Sequence, residues 1–227
     1  MLIGGLQKSS TIDYPSKLSC VIFTIGCNLD CFYCHNRQLI ENAPLIDEDE
    51  VLYFLKKRRH LLDGVVISGG EPTLQKDLID FIKKVKELGY SIKLDTNGQN
   101  LKVVQNLIEE KLIDYLALDF KCLPKDQKFV LGSNNYFANI LQTFHYLNRI
   151  NFPYELRTTL YPTMTLDELK SLLNSVNNVK LWRLNFYHIP QVIKKGYENV
   201  VNANHLNKFT IEKHIDELKQ LQPNLIY

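Results

Sequence analysis

The sequence has no hydrophobic run long enough to cross a membrane and no marked excess of either charge. Among its 227 residues, no apolar stretch approaches the roughly 20 residues that a membrane-spanning helix needs. The first eight residues, Met1–Lys8, lack the apolar core and cleavage site of a secretory signal. The formal net charge is only +2, which argues against binding to nucleic acid or to an anionic membrane. We therefore expect a cytoplasmic protein with neither nucleic acid nor membrane as a partner.

Cysteine is also scarce, with five residues in the chain. Thiols stay reduced in the cytoplasm, so a disulfide framework is not expected. Three of the five nevertheless fall within eight residues, as Cys27-Asn-Leu-Asp-Cys31-Phe-Tyr-Cys34. This clustering indicates a chemical role for the three thiols.

Strand-like and helix-like segments alternate along the chain. Six short apolar segments predict strands: Leu18–Ile25, Gly64–Ser68, Ser91–Asp95, Tyr115–Phe120, Tyr154–Leu160 and Lys180–Phe186. Six segments have helical spacing: Asp47–His60, Leu74–Leu88, Leu101–Lys111, Tyr136–Ile150, Leu166–Val176 and Thr210–Leu221.

Apolar strands joined by helices predict a mostly parallel sheet covered on both faces. Right-handed crossovers would curl six such units into a barrel. A full eight-unit barrel usually needs about 250 residues, so the chain is slightly short for one. We find no internal repeat and no linker. The sequence thus predicts an α/β fold, an incomplete (β/α)6 TIM-like barrel, with residues 1–227 as a single domain.

Polar motifs follow the predicted strands where each strand ends. In parallel α/β folds these carboxyl ends carry the functional residues. The motifs are Gly26–Asn36, Gly69-Gly70-Glu71-Pro72, Thr96-Asn97-Gly98, Asp119-Phe-Lys121, Arg157–Thr159 and Tyr187-His188. We expect one rim of the fold to collect them.

The cysteine cluster fits an iron–sulfur cluster or zinc, because thiolates are soft ligands. A fourth protein ligand is not obvious, since Cys20 lies roughly 20 Å away if its segment is extended. Three thiolates would leave one iron of a cubane open to an outside ligand. Three alternatives remain: buried apolar cysteines, a zinc site with His35 as fourth ligand, and covalent haem attachment through Cys31-Phe-Tyr-Cys34-His35.

The Cys-x3-Cys-x2-Cys spacing, with Tyr33 before the last cysteine, resembles the signature of the radical S-adenosylmethionine (SAM) superfamily. The chain is further similar to activating proteins of glycyl-radical enzymes, and most of all to the anaerobic ribonucleoside-triphosphate reductase activating proteins. This second resemblance rests on the stretch from Thr11-Ile-Asp-Tyr-Pro15 through Cys34-His-Asn36 and on four later segments: Ser68-Gly-Gly-Glu-Pro-Thr-Leu-Gln75, Asp95-Thr-Asn-Gly98, Asp119-Phe-Lys121 and Arg157-Thr-Thr159. Ser16 stands where the family pattern usually has glycine.

The resemblance implies that Cys27, Cys31 and Cys34 hold a [4Fe-4S] cluster whose open iron binds SAM. It also implies that Glu71 accepts hydrogen bonds from the SAM ammonium, a charge-assisted contact. Gly69 and Gly70 would let the backbone bend and approach a ligand closely. An ordinary strand-to-helix turn, with Glu71 near the helix N-terminus, is the alternative interpretation.

Other residues suit the rest of the SAM molecule. The short polar side chains of Asp95, Thr96 and Asn97 match ribose hydroxyls, although Asn-Gly also makes an ordinary turn. Lys121 and Arg157 have the charge to neutralise the SAM carboxylate, with Asp119 orienting Lys121. Their alternative is a structural ion pair.

The resemblance places two further residues near SAM. It places His188, after the last strand, close to SAM, and it places Asp13 near the SAM carboxylate through a monovalent cation. A histidine after a strand is, however, often a surface residue. Cys122 lies on the same predicted rim, and the sequence assigns it no role.

The resemblance implies a radical SAM oxidoreductase working under anaerobic conditions. An electron from reduced flavodoxin or ferredoxin would enter the cluster and cleave SAM to methionine and a 5′-deoxyadenosyl radical. The radical would take hydrogen from a backbone glycine of a partner such as anaerobic ribonucleotide reductase. The alternatives are a radical SAM enzyme acting on a small molecule, in the manner of 7-carboxy-7-deazaguanine synthase, and a non-catalytic zinc or iron–sulfur module.

Overall fold

The computed structural model describes residues 1–41 and 43–227. Within these ranges eight strands follow chain order in one mostly parallel sheet: β1 (Ile3–Ser10), β2 (Ser19–Thr24), β3 (Gly64–Gly69), β4 (Ser91–Thr96), β5 (Tyr115–Asp119), β6 (Tyr154–Leu160), β7 (Trp182–Phe186) and β8 (Leu225–Ile226). The order runs from β1 to β8 without closing within the described residues.

The helices are α1 (Gln38–Glu41), α2 (Glu48–Lys57), α3 (Leu78–Glu87), α4 (Leu101–Glu109), α5 (Gln127–Leu131), α6 (Tyr136–Arg149), α7 (Leu166–Leu173), α8 (Lys208–Lys213) and α9 (Ile215–Leu221). A short 3-10 helix spans Pro72–Leu74. In the described part of the chain, no helix combines the length and apolar character needed to cross a bilayer.

The chain divides into two compact units. The first comprises Met1–Asn28 and Gln38–Ala117, and the second Leu29–Arg37 and Leu118–Tyr227. The division falls within β5.

In the first unit, β1 pairs antiparallel with β2, and β2, β3 and β4 pair in parallel. The strand interior is apolar, with Val21, Val66 and Ile92 almost fully buried. Helix α2 begins after Asp47, whose side chain accepts the backbone N–H groups of Asp49 and Glu50. This satisfies donors that the first turn of a helix leaves without partners.

In the second unit, β6 and β7 pair in parallel, as do β7 and β8. Trp182, the one tryptophan of the sequence, is fully buried. Its indole nitrogen donates to Thr158 Oγ1 at 2.9 Å, and that hydroxyl donates to the carbonyl of Phe120 at 2.6 Å. Thr165 begins α7 with a reciprocal capping box to Glu168.

The predicted α/β class and incomplete, mostly parallel barrel are confirmed, and all six predicted strands are present. Strand β1 was not predicted, because Gly4, Gly5 and the polar residues after them break the alternation typical of strands. The two-residue β8 and the five-residue α5 were not predicted either, and the predicted terminal helix is divided at His214.

Ser16 adopts a φ of 60°, in the left-handed region that favours glycine. The turn therefore keeps the backbone conformation that the family's usual glycine would favour at this position.

Candidate active site

The first unit carries Cys27 just beyond β2, following Gly26, whose φ is 86°. The sulfur of Cys27 accepts a hydrogen bond from the side-chain amide of Asn97, with an N···S distance of 3.9 Å. The same amide nitrogen donates to Asn28 Oδ1 at 2.7 Å. Asn97 is buried, so its amide has a fixed position relative to the cysteine.

The turn Gly69-Gly70-Glu71 packs against the backbone that leads to Cys27. The N–H of Gly70 donates to the carbonyl of Thr24 at 2.9 Å, and the N–H of Glu71 donates to the carbonyl of Gly26 at 2.8 Å. A Cβ on Gly69 would lie 2.2 Å from the Thr24 nitrogen, and one on Gly70 would lie 1.9 Å from the Gly26 oxygen. Glycine is therefore required at both positions because the backbone of Thr24 and Gly26 lies so close.

Glu71 is only 1 % exposed, and its carboxylate is held by protein donors. Oε1 accepts from the backbone and hydroxyl of Thr73 at 3.1 and 2.6 Å and from the hydroxyl of Thr96 at 2.7 Å. Oε2 accepts from the N–H of Asn97 at 2.7 Å. Burial raises the pKa of Glu71, and these hydrogen bonds oppose the rise.

This geometry gives Glu71 a structural role. Its side chain caps the 3-10 helix after β3, as in the ordinary-turn interpretation. The same carboxylate also connects the turn after β3 to the turn after β4. Oε1 accepts three of the four hydrogen bonds and Oε2 accepts one, so Glu71 holds the two turns in a fixed relation.

The residues after β4 also form an ordered turn. The Thr96 hydroxyl accepts the N–H of Gly98, and Asn97 Oδ1 accepts the N–H of Gln99, both at 3.1 Å. Asp95 lies 3.0 Å from the ammonium group of Lys93, which is 1 % exposed. The ammonium group of Lys93 also donates to the carbonyl of Asp13 at 2.6 Å, and the Asp13 carboxylate accepts from Ser10.

The second unit carries Cys31 and Cys34. Cys31 is buried, Cys34 is partly exposed, and the N–H of Cys34 donates to the Cys31 carbonyl at 3.2 Å. The N–H groups of Asp30 and Phe32 donate to the carbonyls at the end of α5, which hold the segment in place. Burial raises the pKa of the Cys34 thiol, while Lys121 and Arg37 work in the opposite direction.

Tyr33 is buried in a group of aromatic rings. It stacks on Tyr161 with a centroid distance of 5.4 Å. Phe32 stacks on Tyr197 at 5.4 Å and contacts Phe129 at 5.3 Å. The Tyr33 hydroxyl has no hydrogen-bond partner within the described residues, and burial raises the pKa of Tyr33 well above its usual range. The rings fix the orientation of the segment that contains Cys31 and Cys34.

Asp119 brings two predicted binding residues together. Its carboxylate lies 3.0 Å from the ammonium group of Lys121 and 3.4 Å from Nε of Arg157. Burial acts to lower the pKa of Lys121, but Asp119 and Cys31 raise it above its ordinary value. Lys121 therefore stays charged, and Asp119 forms with Lys121 and Arg157 the ion-pair geometry of the alternative interpretation.

His188 is exposed after β7, with its ring centroid 6.4 Å from that of His35. Burial, and then His188, lower the pKa of His35. Across residues 1–41 and 43–227, no three His, Cys, Asp or Glu side chains are arranged to hold a metal ion.

The remaining cysteines are buried. Cys20 is in β2, where burial raises its pKa to about 12. Burial also raises the pKa of Cys122 above its ordinary value.

Sequence reasoning missed Arg37, a buried guanidinium that contacts Asp30 and the Cys31 carbonyl. The signal available was a charged residue three positions after Cys34.

Comparison with known proteins gives concordant results. A family model described as the radical SAM superfamily matches residues 21–176. A Methanocaldococcus jannaschii protein whose name describes a glycyl-radical enzyme activating enzyme is 38 % identical over 193 residues, which are 81 % of this chain and 78 % of the relative. The pyruvate formate-lyase-activating enzyme of Staphylococcus aureus is 30 % identical over 203 residues, covering 81 % of this chain and 80 % of the relative.

Solved structures share the fold. Streptococcus suis SuiB bound to S-adenosylmethionine matches with a TM-score of 0.66 and 19 % identity, over 90 % of this chain and 48 % of SuiB. The chain thus spans about half the length of SuiB. A second structure, anSMEcpe with bound AdoMet, matches with a TM-score of 0.60 and 18 % identity, over 88 % of this chain and 60 % of that protein.

Proposed function

The chain belongs to the radical SAM superfamily, and on that premise we propose that it installs a glycyl radical on a partner enzyme. It is an enzyme of a superfamily whose cofactors are a [4Fe-4S] cluster and SAM, and its similarity to glycyl-radical enzyme activating enzymes agrees with the resemblance seen in its sequence. The partner we propose is an anaerobic ribonucleoside-triphosphate reductase.

We propose Cys27, Cys31 and Cys34 as the cluster ligands, within a single radical SAM domain formed by residues 1–227. Their thiols fit the group, because iron–sulfur clusters are held by cysteine thiolates. When bound, the cluster supplies the electron that cleaves SAM to methionine and a 5′-deoxyadenosyl radical. Reduced flavodoxin or ferredoxin is the proposed electron donor.

The similarity to glycyl-radical enzyme activating enzymes carries the proposed activity, and the hydrogen-bonded chain from Glu71 through Asn97 to the Cys27 sulfur supports the proposed cluster site. This hydrogen-bonded chain links three motif residues in one compact unit. Hydrogen bonds to ligand sulfur tune iron–sulfur clusters, and a fixed amide serves that purpose.

The chain's own residues bind and orient the cosubstrate in this proposal. Lys121 and Arg157 hold the SAM carboxylate, and Asp119 keeps both side chains oriented. We also propose Asp95, Thr96 and Asn97 as ribose-binding residues, and Tyr33 and His188 as further SAM-binding residues. Gly69, Gly70 and Glu71 set the backbone beside Gly26, so their contribution is to fix the shape of the site.

The test uses the full chain, reconstituted anaerobically with iron and sulfide. The expected results are release of methionine and 5′-deoxyadenosine, and a glycine-centred radical in purified anaerobic ribonucleoside-triphosphate reductase by electron paramagnetic resonance. A reductase with its radical glycine changed to alanine is the control.

Two outcomes would change the conclusion. A radical formed on pyruvate formate-lyase but not on the reductase would move the proposal to another partner. SAM cleavage without a radical on any glycyl-radical enzyme would overturn the activating function and favour a small-molecule substrate.

A further inference from the structure

Arg37 is a charged residue with 4 % of its surface exposed, and a buried charge is costly without partners. Its Nη2 donates to the carbonyl of Cys31 at 2.7 Å. Its Nη1 donates to Asp30 Oδ1 at 2.6 Å. Both acceptors belong to the segment Asp30–Cys34, and the fork of the guanidinium spans them.

Asp30 has a second cation. The ammonium group of Lys194 lies 2.7 Å from Asp30 Oδ2 and donates to the Asp30 carbonyl at 3.1 Å. Two cations therefore face one carboxylate, and the group keeps a net positive charge beside the cysteines.

The Arg37 guanidinium contacts the backbone at the Cys31 carbonyl. That oxygen accepts from the Arg37 guanidinium and from the N–H of Cys34. The guanidinium thus fixes the turn that sets the spacing between the two cysteines.

We propose that Arg37 is a positioning residue for the iron–sulfur cluster, fixing the Cys31 backbone and supplying a positive charge that makes the cluster easier to reduce. This inference rests on the proposed function. A thiolate-ligated cluster becomes more negative on reduction, so a nearby cation stabilises the reduced form.

Three substitutions separate the two effects. Arg37→Lys keeps the charge but has no fork to span both acceptors. Arg37→Gln removes the charge. Asp30→Asn removes the exposed carboxylate that pairs with Arg37. It deletes a negative charge, whereas Arg37→Gln deletes a positive charge. Arg59→Gln, an exposed arginine after α2, is the matched control.

The measurements are iron retained against a chelator after anaerobic reconstitution, the reduction potential from a titration followed by electron paramagnetic resonance, and thermal unfolding of the metal-free chain. For Arg37→Gln we expect faster iron loss and at least a tenfold shift of the reduction equilibrium toward the oxidised form, about 59 mV for one electron. For Arg37→Lys we expect faster iron loss at nearly the wild-type potential. Asp30→Asn should lose iron faster without a lower potential.

The results have distinct meanings. If both Arg37 variants match Arg59→Gln in iron retention and potential, the inference is wrong while the proposed function stands. If Arg37→Gln only lowers the unfolding temperature and Asp30→Asn matches wild type in iron retention and potential, Arg37 stabilises the fold alone and the inference fails. A wild-type chain that retains no iron would overturn both proposals.

Discussion

Two carboxylates, Glu71 and Asp119, lie at or just after the ends of strands but are stabilised in opposite ways. Glu71 is almost fully buried and accepts four hydrogen bonds from neutral donors. Asp119 is partly exposed and faces two cations, Lys121 and Arg157. Both carboxylate oxygens of Glu71 accept hydrogen bonds, and these fix the turns after β3 and β4. The arrangement at Asp119 holds charged side chains in place at low cost, because ion pairs near solvent are weak and exchangeable.

The two carboxylates differ in what their partners leave them free to do. Neutral donors around a buried carboxylate create rigidity, whereas cations beside an accessible one remain able to bind an incoming anion. We therefore expect substitutions near Glu71 to affect stability and substitutions near Asp119 to affect SAM affinity.

The largest expected effect is the loss of SAM cleavage when a proposed cluster cysteine is removed. Cys27→Ala, Cys31→Ala and Cys34→Ala should each abolish SAM cleavage, because each removes a proposed cluster ligand. Cys20→Ala and Cys122→Ala should retain it, measured as 5′-deoxyadenosine released. Loss of the cluster in Cys122→Ala as complete as in Cys31→Ala would contradict the three-ligand proposal.

Glu71→Ala should lower the free energy of unfolding by roughly 2–3 kcal/mol, because it leaves buried donors on Thr73, Thr96 and Asn97 unsatisfied. Denaturant unfolding of the metal-free chain measures this. Glu71→Gln keeps the shape and one acceptor, so its loss should be smaller. If wild type and Glu71→Ala had equal free energies of unfolding, Glu71 would not have the stabilising role that distinguishes it from Asp119.

Lys121→Met should weaken SAM binding roughly 10- to 100-fold, the cost of one charge-assisted hydrogen bond. Equilibrium binding to the reconstituted protein gives the affinity, and thermal unfolding serves as the control. Unchanged affinity with a large loss of stability would make the Asp119 group a structural ion pair only.

The smallest effect is a pH dependence. Because the folded-state pKa of Glu71 is raised by burial, the folded state binds its proton more tightly than the unfolded chain does. Wild type should therefore lose stability relative to Glu71→Gln as pH rises from the ordinary glutamate pKa through the raised one, and no further above it. Denaturant unfolding at several pH values measures the difference. If wild type instead gained stability relative to Glu71→Gln over this pH range, the raised pKa of Glu71 would be contradicted.

Much of the fold was predictable because its strands are short apolar segments bounded by turn residues. The six predicted strands depend on local composition, which is why they were found. Glu71 accepts from Asn97, and Asp30, the partner of Arg37, pairs with Lys194, and no local pattern specifies these contacts between residues far apart along the chain. The glycines after β3 were recognised, but their close neighbour is the Gly26 backbone, which only the strand pairing reveals.

The lone indole of Trp182 makes the chain its own fluorescence probe. Because that ring is sealed within the second compact unit, its emission reports on the unfolding of that unit only, while circular dichroism reports on helices and strands throughout. Coincident transitions by the two signals would mean that the whole chain melts as one cooperative body, and separated transitions would assign a stability to each unit.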